Sequence, residues 1–139
     1  MEELHAKGLA RSKGVSNFQP QDLEPILQTA KLTPDANQIE FHPYLQHPDL
    51  TPLMREHHVA TVGYGPLVSL RVEGQQKNGP IDDHIHELAK KHQVTEDDIL
   101  LRWQVDKGFA IVTSSPKETR LQNNLNTAGF TLTERDCRI

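Results

Sequence analysis

Apolar and polar positions follow two different periods along this chain, and each period predicts one kind of element. Across residues 20–30 the apolar side chains recur at positions i, i+3, i+4 and i+7, which predicts an amphipathic helix with one buried stripe. Residues 36–41 come directly after Pro34 and Asp35, which end that helix, and they read as a β-strand. The first third of the chain is therefore expected to pass from helix to strand.

This alternation continues toward the end of the chain. Strands are predicted at 60–64 and 110–113, and an earlier strand begins near residue 10, after a short polar helix that stops at Gly8. Residues 67–80 are rich in Gly, Gln and Asn without any periodicity, which predicts a mobile surface loop. Three further helices are predicted from apolar stripes: Leu50, Leu53, Met54 and His57; then Ile81, Ile85, Leu88, Ala89 and His92; then Ile99, Trp103 and Val105.

Two helix starts carry capping signals. Residues 95–98, with the sequence Thr-Glu-Asp-Asp, resemble a capping box that opens the third of these helices. Ser115 is expected to be the N-cap of a last helix, with Pro116 at its first position and Glu118 at its third.

The order of elements predicts the fold class. Strands that start near residues 10, 36, 60 and 109 alternate with helices, and the first two intervals are close to 25 residues, the length of one βα unit. Such alternation is typical of a parallel α/β fold. The chain has 139 residues, whereas a complete (β/α)8 barrel usually needs about 250. We therefore expect one domain, or a piece of one.

Composition narrows the function classes. The formal charge of −4 is spread without acidic or basic runs, and 35% of the residues are hydrophobic, so neither nucleic-acid nor membrane binding is indicated. Cys137 is the one cysteine of the sequence and forms no internal disulfide. The first residues lack the apolar core of a signal peptide. A cytoplasmic, reducing location is expected.

The predicted strand ends carry the candidate chemistry. In a parallel α/β barrel, ligands bind where the strands end. Amide and hydroxyl groups there suit a carboxamide, and the ring of Tyr64 suits stacking on a flat heterocycle. The start of the last helix and the guanidinium of Arg120 suit a phosphate. The strand-end residues are Ser16, Asn17, Gln38, Tyr64, Ser114 and Ser115. Together they predict a site for a nicotinamide dinucleotide.

Each of these residues has a simpler explanation when taken singly. Ser16 and Asn17 could cap the helix that follows, Tyr64 could belong to the core, and Arg120 could be a solvated helix charge. Only their joint order along four strand ends favours the functional interpretation.

Histidines and pairs of acidic residues offer two alternative kinds of chemistry. His84 and His86 are two apart and do not share a helix face, and Cys137 stands alone, so a zinc site is disfavoured. The pair Asp82 and Asp83, like the acidic run at 96–98, falls in the first turn of a predicted helix and is expected to complement the helix dipole.

Six short motifs, in order, resemble the aldo-keto reductase superfamily, most closely its fungal keto-ester and polyketone reductases. The motifs are MEEL, GLARS, GVSNF, QIEFHPYLQ, YGPL and LLRW, and they cover nearly the whole chain. The resemblance implies a partial (β/α)8 TIM barrel comprising strands five to eight, with residues 1–139 as the C-terminal half of the barrel domain. It also implies NADP(H) as cofactor and an aldehyde or ketone as substrate.

The resemblance further implies a role for each candidate residue. Ser16, Asn17 and Gln38 would hold the carboxamide, and Tyr64 would stack on the nicotinamide. Leu67 and Ser69 would lie near the pyrophosphate. The 2′-phosphate would be bound by Ser114, Ser115 and Arg120. The adenine would lie near Asn123 and Asn124.

The chain also departs from the family pattern. Family enzymes use a Tyr acid supported by Lys, Asp and His on the first four strands, so this tetrad is expected to be absent here. Many members have Lys where Ser114 stands, which leaves 2′-phosphate binding to rest more on Arg120. Lys13 occupies a position that is usually apolar. The sequence stops short of the family's final helix and C-terminal loop.

Three interpretations follow. The first is NADP(H)-dependent hydride transfer to a carbonyl, with this chain supplying the cofactor-binding half and having little activity alone. The second is a non-catalytic nucleotide-binding or assembly module, in which two copies pair through open barrel edges as a homodimer. The third is an inactive, truncated product.

Overall fold

The computed structural model describes residues 1–70 and 81–138. Its four strands are β1 (Gly14–Ser16), β2 (Ala36–Glu40), β3 (Ala60–Tyr64) and β4 (Ala110–Val112). They form one parallel sheet in chain order, with Gly14 opposite Ala36 and Ala36 opposite Ala60. All four strands therefore end at the same edge, as the predicted α/β class requires.

Helices precede, connect and follow the strands, close to the positions that the sequence predicted. They are α1 (Glu2–Ala6), α2 (Pro20–Thr29), α3 (Leu50–Glu56), α4 (Asp82–His92), α5 (Glu96–Asp106) and α6 (Glu118–Leu125), with 3-10 turns at Val68–Leu70 and Asn126–Gly129. The predicted capping box is confirmed, because the Thr95 side chain accepts from the Asp98 amide and the Asp98 carboxylate accepts from the Thr95 amide.

The described helices cover one face of the sheet. Along β2, Asn37 and Ile39 are buried whereas Gln38 between them is exposed, as expected when successive side chains point to opposite faces. Beneath the covered face, the ring of Phe41 stacks on Trp103 at 5.5 Å and meets the edge of Phe109 at 4.7 Å. The opposite face, which carries Gln38, remains accessible.

The first strand is shorter than predicted. It begins at Gly14 rather than near residue 10, because its neighbour β2 begins at Ala36, directly opposite Gly14. Just before the strand, Lys13 donates its amide to Asp35 Oδ2 at 2.7 Å and its ammonium to the Thr33 carbonyl at 2.7 Å. Lys13 thus binds the turn that precedes β2, which explains a charged side chain at that position.

The predicted N-cap of α6 is wrong. The helix begins at Glu118, and Lys117 with extended backbone precedes it. Ser115 Oγ accepts a hydrogen bond from the Lys117 amide at 3.1 Å. This bond closes a local turn and delays the helix by two residues relative to the predicted start at Pro116.

Two predicted apolar stripes also need correction, and one predicted loop is only partly described. His57 lies beyond the end of α3 and is exposed, and Val105 is 38% exposed. The buried residues of α5 instead include Leu100, Leu101 and Gln104. The predicted mobile loop contains the 3-10 turn Val68–Leu70, and its residues 71–80 lie outside the described residues.

The last described residues are fastened to the helical layer by a buried carboxylate. Asp136 accepts from Lys91 Nζ at 2.8 Å with each of its oxygens and lies 3.4 Å from His92 Nε2. The hydrogen bond from Lys91 holds the pKa of the Asp136 carboxyl well below its usual range, although burial opposes this shift. Nearby, Trp103 donates its indole N–H to the Cys137 carbonyl at 3.1 Å.

Candidate functional site

Two of the predicted site residues meet across the sheet. Tyr64 at the end of β3 donates its hydroxyl to Oδ1 of Asn17, which follows β1, at 3.2 Å. Asn17 has a left-handed backbone with φ of 58°, a conformation that Asn tolerates better than most residues. The turn after β1 thereby directs a side-chain amide toward the last residue of β3, over the intervening strand β2.

Ser16 and Gln38 form the second part of this cluster. They lie opposite each other in the sheet register. Ser16 Oγ donates to the Gln38 carbonyl at 3.1 Å, and the Asn17 amide donates to the same carbonyl at 2.8 Å. Within residues 1–70 and 81–138, the Gln38 side chain has no hydrogen-bond partner. Ser16, Asn17, Gln38 and Tyr64 therefore form one polar cluster at the carboxyl edge, which we call the strand-end cluster.

A cleft of about 340 Å³ opens beside Tyr64 at the ends of β3 and β4. It brings Tyr64, Leu67 and Ser114 of the predicted set together. Gly65, with φ of 64°, makes the turn that starts the wall of the cleft. The complete lining is Tyr64, Gly65, Pro66, Leu67, Val68, Val112, Thr113 and Ser114.

The remaining predicted residues lie elsewhere. Ser69 belongs to the 3-10 turn, and its buried hydroxyl has no partner among the described residues. Ser115 holds the turn before α6. On α6 itself lie Arg120, Asn123 and Asn124. No hydrogen bond of the described residues joins these five to the strand-end cluster.

Beside the strand-end cluster lies a carboxylate, Glu40, that the sequence analysis did not single out. Glu40 is two residues beyond Gln38 on the same strand and lies opposite Tyr64 in the register. Its Oε1 is 3.6 Å from Nε2 of His42. Burial lowers the pKa of His42, although the neighbouring Glu40 works in the opposite direction. Burial at this position therefore disfavours the charged form of the imidazole.

The residues present fit a nicotinamide dinucleotide. The side-chain amide of Gln38 lies exposed with both polar atoms available, and the side-chain nitrogen Nδ2 of Asn17 makes no hydrogen bond to any described residue. Both groups match a carboxamide, which needs donors and acceptors together. The Tyr64 ring borders a cleft, and the Arg120 guanidinium has no ion-pair partner in the described part of the chain, so it is available to an anion.

Other chemistry finds less support. Among residues 1–70 and 81–138 no three His, Cys, Asp or Glu side chains are grouped to hold a metal ion. His86 instead bonds Glu96 at 2.9 Å between α4 and α5. Asp82 and Asp83 fall in the first turn of α4, as predicted. In the same described ranges, no helix has the length and apolar character to span a membrane.

Sequence reasoning missed two buried amides behind the site. Asn37 and Gln104 are both fully buried, and each bonds the backbone of a residue just past a strand end. Asn37 could have been found, because it shares the covered face of β2 with Ile39, where an apolar residue is the norm. Gln104 gave no such signal within its helix.

The fold is an α/β fold with a parallel four-stranded sheet, and the candidate site lies at the carboxyl edge of that sheet. The chain belongs to the aldo/keto reductase family, whose sequence model matches residues 1–139. The resemblance drawn from the sequence motifs is thereby confirmed.

Individual relatives agree with this assignment. The chain is 37% identical to an NADPH-dependent alpha-keto amide reductase of Saccharomyces cerevisiae, over 98% of this chain and 45% of the relative. It is 38% identical to an NAD/NADP-dependent indole-3-acetaldehyde reductase of Schizosaccharomyces pombe, over 98% of this chain and 48% of the relative. The chain thus spans about half the length of the curated relatives it matches.

Solved structures show the same relationship. The aldo-keto reductase MGS-M4, from a deep-sea metagenome library of the Medee basin, superposes with a TM-score of 0.89 at 29% identity, over 99% of this chain and 50% of that one. An aldo/keto reductase of Brucella melitensis gives 0.85 at 32% identity, over 98% and 49% respectively. The present chain, with its parallel four-stranded sheet, therefore corresponds to about half of each of these solved chains.

Proposed function

We propose that this chain binds NADP(H) at the carboxyl edge of its sheet and forms the cofactor-binding half of a reductase for an aldehyde or ketone. In this proposal its strands correspond to strands five to eight of the family barrel. The observation that carries it is the hydrogen bond between Tyr64 and Asn17, because it joins two separate strand ends into one polar cluster beside an open cleft. The names of the relatives, which include NADPH-dependent and NAD/NADP-dependent reductases, support the cofactor class.

Each residue has a proposed role in binding. Ser16, Asn17 and Gln38 orient the carboxamide and thereby fix which face of the nicotinamide is presented. Tyr64 supports the ring by stacking, a contact worth about 1–3 kcal/mol per base on aromatic platforms. When bound, the cofactor supplies or accepts the hydride. Leu67 and Ser69 are proposed to lie near the pyrophosphate. Ser114, Ser115 and Arg120 are proposed to bind the 2′-phosphate, and Asn123 and Asn124 to lie near the adenine.

We assign no role in proton transfer to these residues. We propose that the family tetrad of Tyr, Lys, Asp and His is absent from this chain. Loss of a general acid lowers a rate by about 10²–10⁴-fold. The 139-residue chain alone is therefore expected to bind cofactor but to turn over carbonyl substrates weakly. A cytoplasmic location is part of the proposal and is supported by Cys137, a free thiol.

A second candidate is a homodimeric assembly module. Both β1 and β4 are edge strands of the described sheet, and open edges are templates for pairing. Apolar side chains are exposed in the segments that precede β1 and follow β4, with Leu9 at 74% and Leu125 at 77%. Two copies would supply eight strands. Sedimentation of the full chain tests this candidate, since a folded species of monomer mass across a wide concentration range would contradict it.

Isothermal titration with NADPH tests the first proposal. Wild type is compared with Tyr64→Ala, and Tyr44→Ala is the matched control because Tyr44 lies outside the cleft. We expect saturable binding by wild type, about tenfold or more weaker binding by Tyr64→Ala, and an unchanged control. A folded wild-type chain that binds no NADPH, or a Tyr64→Ala variant with unchanged affinity, would contradict the proposal.

A further inference from the structure

We propose that Asn37 and Gln104 are positioning residues that hold, from the covered face of the sheet, the two turns on which Asn17 and Tyr64 depend. The geometry of this support stands on its own, whereas its effect on the nicotinamide end of the ligand rests on the function proposed above. Both side chains are fully buried, and neither reaches the open face. They would therefore act on the site through the backbone alone.

Asn37 holds the turn after β1. Its Nδ2 donates to the Phe18 carbonyl at 2.8 Å, and its Oδ1 accepts from the Phe18 amide at 3.4 Å. The neighbouring Asn17 amide donates to the carbonyl of Gln38 at 2.8 Å. Strand β2 thus fixes two consecutive residues of the turn, one through its backbone and one through a side chain. The left-handed conformation of Asn17 lies between these two attachments.

Gln104 holds the end of β2 and, through it, the end of β3. Its Nε2 donates to the Phe41 carbonyl at 2.7 Å. The Phe41 amide in turn donates to the Tyr64 carbonyl at 3.0 Å. A single residue, Phe41, therefore links the Gln104 side chain to the end of β3. The position of the Tyr64 backbone depends on this chain of two hydrogen bonds, which starts at Gln104.

Packing alone does not explain these amides. Gln104 Oε1 is buried and has no hydrogen-bond partner among the described residues. An unpaired buried oxygen is unfavourable, so the bond from Nε2 to the buried Phe41 carbonyl must offset that cost. A directional hydrogen bond, by contrast, fixes the orientation of the group that it holds. Gln104 therefore keeps an unpaired oxygen next to a short hydrogen bond from Nε2 to the Phe41 carbonyl. This combination indicates that the role of Gln104 is to orient the end of the strand.

The test separates positioning from general stability by using two ligands. NADPH reaches the strand-end cluster, whereas adenosine 2′,5′-bisphosphate lacks the nicotinamide and reports only the other end of the site. The variants are Gln104→Met and Asn37→Leu, which keep the approximate shape but remove the hydrogen bonds. Gln28→Met, on the exposed surface of α2, is the matched control. All are titrated as the full 139-residue chain.

We expect the two buried variants to bind NADPH about tenfold more weakly, the factor that corresponds to about 1.4 kcal/mol. Their affinity for adenosine 2′,5′-bisphosphate should stay within about twofold of wild type, as should both affinities of the control. Equal loss for both ligands would assign these amides a purely structural role and overturn the proposal. Unchanged NADPH affinity in both variants would overturn it as well.

Gln104→Glu adds a rescue that depends on pH. A carboxyl at this fully buried position has a raised pKa, because burial disfavours the charged form. When protonated it donates to the Phe41 carbonyl as the amide does, and when ionised it does not. We expect near wild-type affinity for NADP⁺ at about pH 5.5 and a loss at about pH 8.5, with Gln104→Met weak at both values. A variant that is weak at both values would contradict the proposed hydrogen bond.

Amide hydrogen exchange distinguishes failure of this proposal from failure of the proposed function. If wild type binds neither ligand, the function is wrong, and exchange at the Phe18 and Phe41 amides still decides the positioning. Faster exchange at Phe18 in Asn37→Leu and at Phe41 in Gln104→Met, with the Leu23 amide of α2 unchanged, would support it. Unchanged exchange at both amides would overturn it.

Discussion

Gly63 leaves the space that Gln104 occupies. A Cβ at position 63 would lie 2.4 Å from Gln104 Oε1 and 3.2 Å from the Cβ of Phe41. Because Gln104 is fully buried and bonds the end of β2, it has little freedom to withdraw. The absence of a side chain in the middle of β3 is therefore a packing requirement of the buried amide behind the site.

Gly63→Ala is predicted to destabilise the fold through this contact. Overpacking of a well-filled core typically lowers the free energy of unfolding by about 1–3 kcal/mol. Gly129→Ala is the matched control, because nothing lies within 4 Å of a Cβ built there. Urea denaturation of both variants measures the difference. Equal midpoints for the two variants would show that Gln104 adjusts without loss.

Asn17 is predicted to contribute separately through its backbone and its side chain. Asn17→Gly accommodates the φ of 58° but lacks the amide, so we expect near wild-type stability with weaker NADPH binding. Asn17→Ala lacks the amide and also strains the backbone by about 1–2 kcal/mol. Thermal unfolding and titration of the two variants check this. Equal stability of the two would refute the strain, and NADPH affinity at the wild-type level in Asn17→Gly would refute the binding role.

Arg120 is predicted to set the preference for the 2′-phosphate. A hydrogen bond to a charged group contributes about 1.5–3 kcal/mol, so Arg120→Ala should weaken NADPH binding by about tenfold or more and leave NADH binding unchanged. Arg55→Ala, on the exposed surface of α3, is the control. The ratio of the two dissociation constants is the measurement. A parallel loss for both cofactors would place the role of Arg120 away from the 2′-phosphate.

Asp136 is predicted to make the free energy of unfolding depend on pH in the acid range. Its folded-state pKa lies below the unfolded value of about 3.9, chiefly because Lys91 bonds the carboxylate. A pKa that is lowered by folding stabilises the folded state at pH values above the unfolded-state pKa. This stabilisation is lost as the pH falls below the unfolded-state pKa toward the folded-state pKa.

We therefore expect the free energy of unfolding to fall between about pH 5 and about pH 3, and to fall less steeply in Asp136→Asn. Asp83→Asn, exposed on α4, serves as control. Urea denaturation across this pH range gives the slopes. A slope in Asp136→Asn as steep as that of wild type would assign the acid sensitivity to other carboxylates.

The sequence predicted elements best where local signals and tertiary pairing agree. Strand β3 is found at the predicted residues 60–64, and the capping box at Thr95 lies where expected. The start of β1 was wrong because strand length depends on where the neighbour begins, which no local pattern encodes. The start of α6 was wrong because a Ser can close a turn as readily as it can cap a helix.

The candidate site shows the same division. Residues at strand ends were predicted to converge because parallel strands share an edge, and Ser16, Asn17, Gln38 and Tyr64 do so. The support by Gln104 depends on a contact between residues 63 positions apart, and helical periodicity carries no information about such a partner. Sequence patterns thus indicated the strand-end residues that we propose to meet a ligand, and they missed the buried amides that contact the strand ends from the covered face.

The measurement that tests the central claim most directly is an NMR titration of the isotope-labelled chain with NADPH. The claim predicts saturable shifts of the backbone amides at Asn17, Gln38 and Tyr64, with the amides of the α4–α5 surface around His86 and Glu96 unchanged. Shifts confined to that helical surface, or no saturable shifts in a folded chain, would contradict cofactor binding at the carboxyl edge of the sheet.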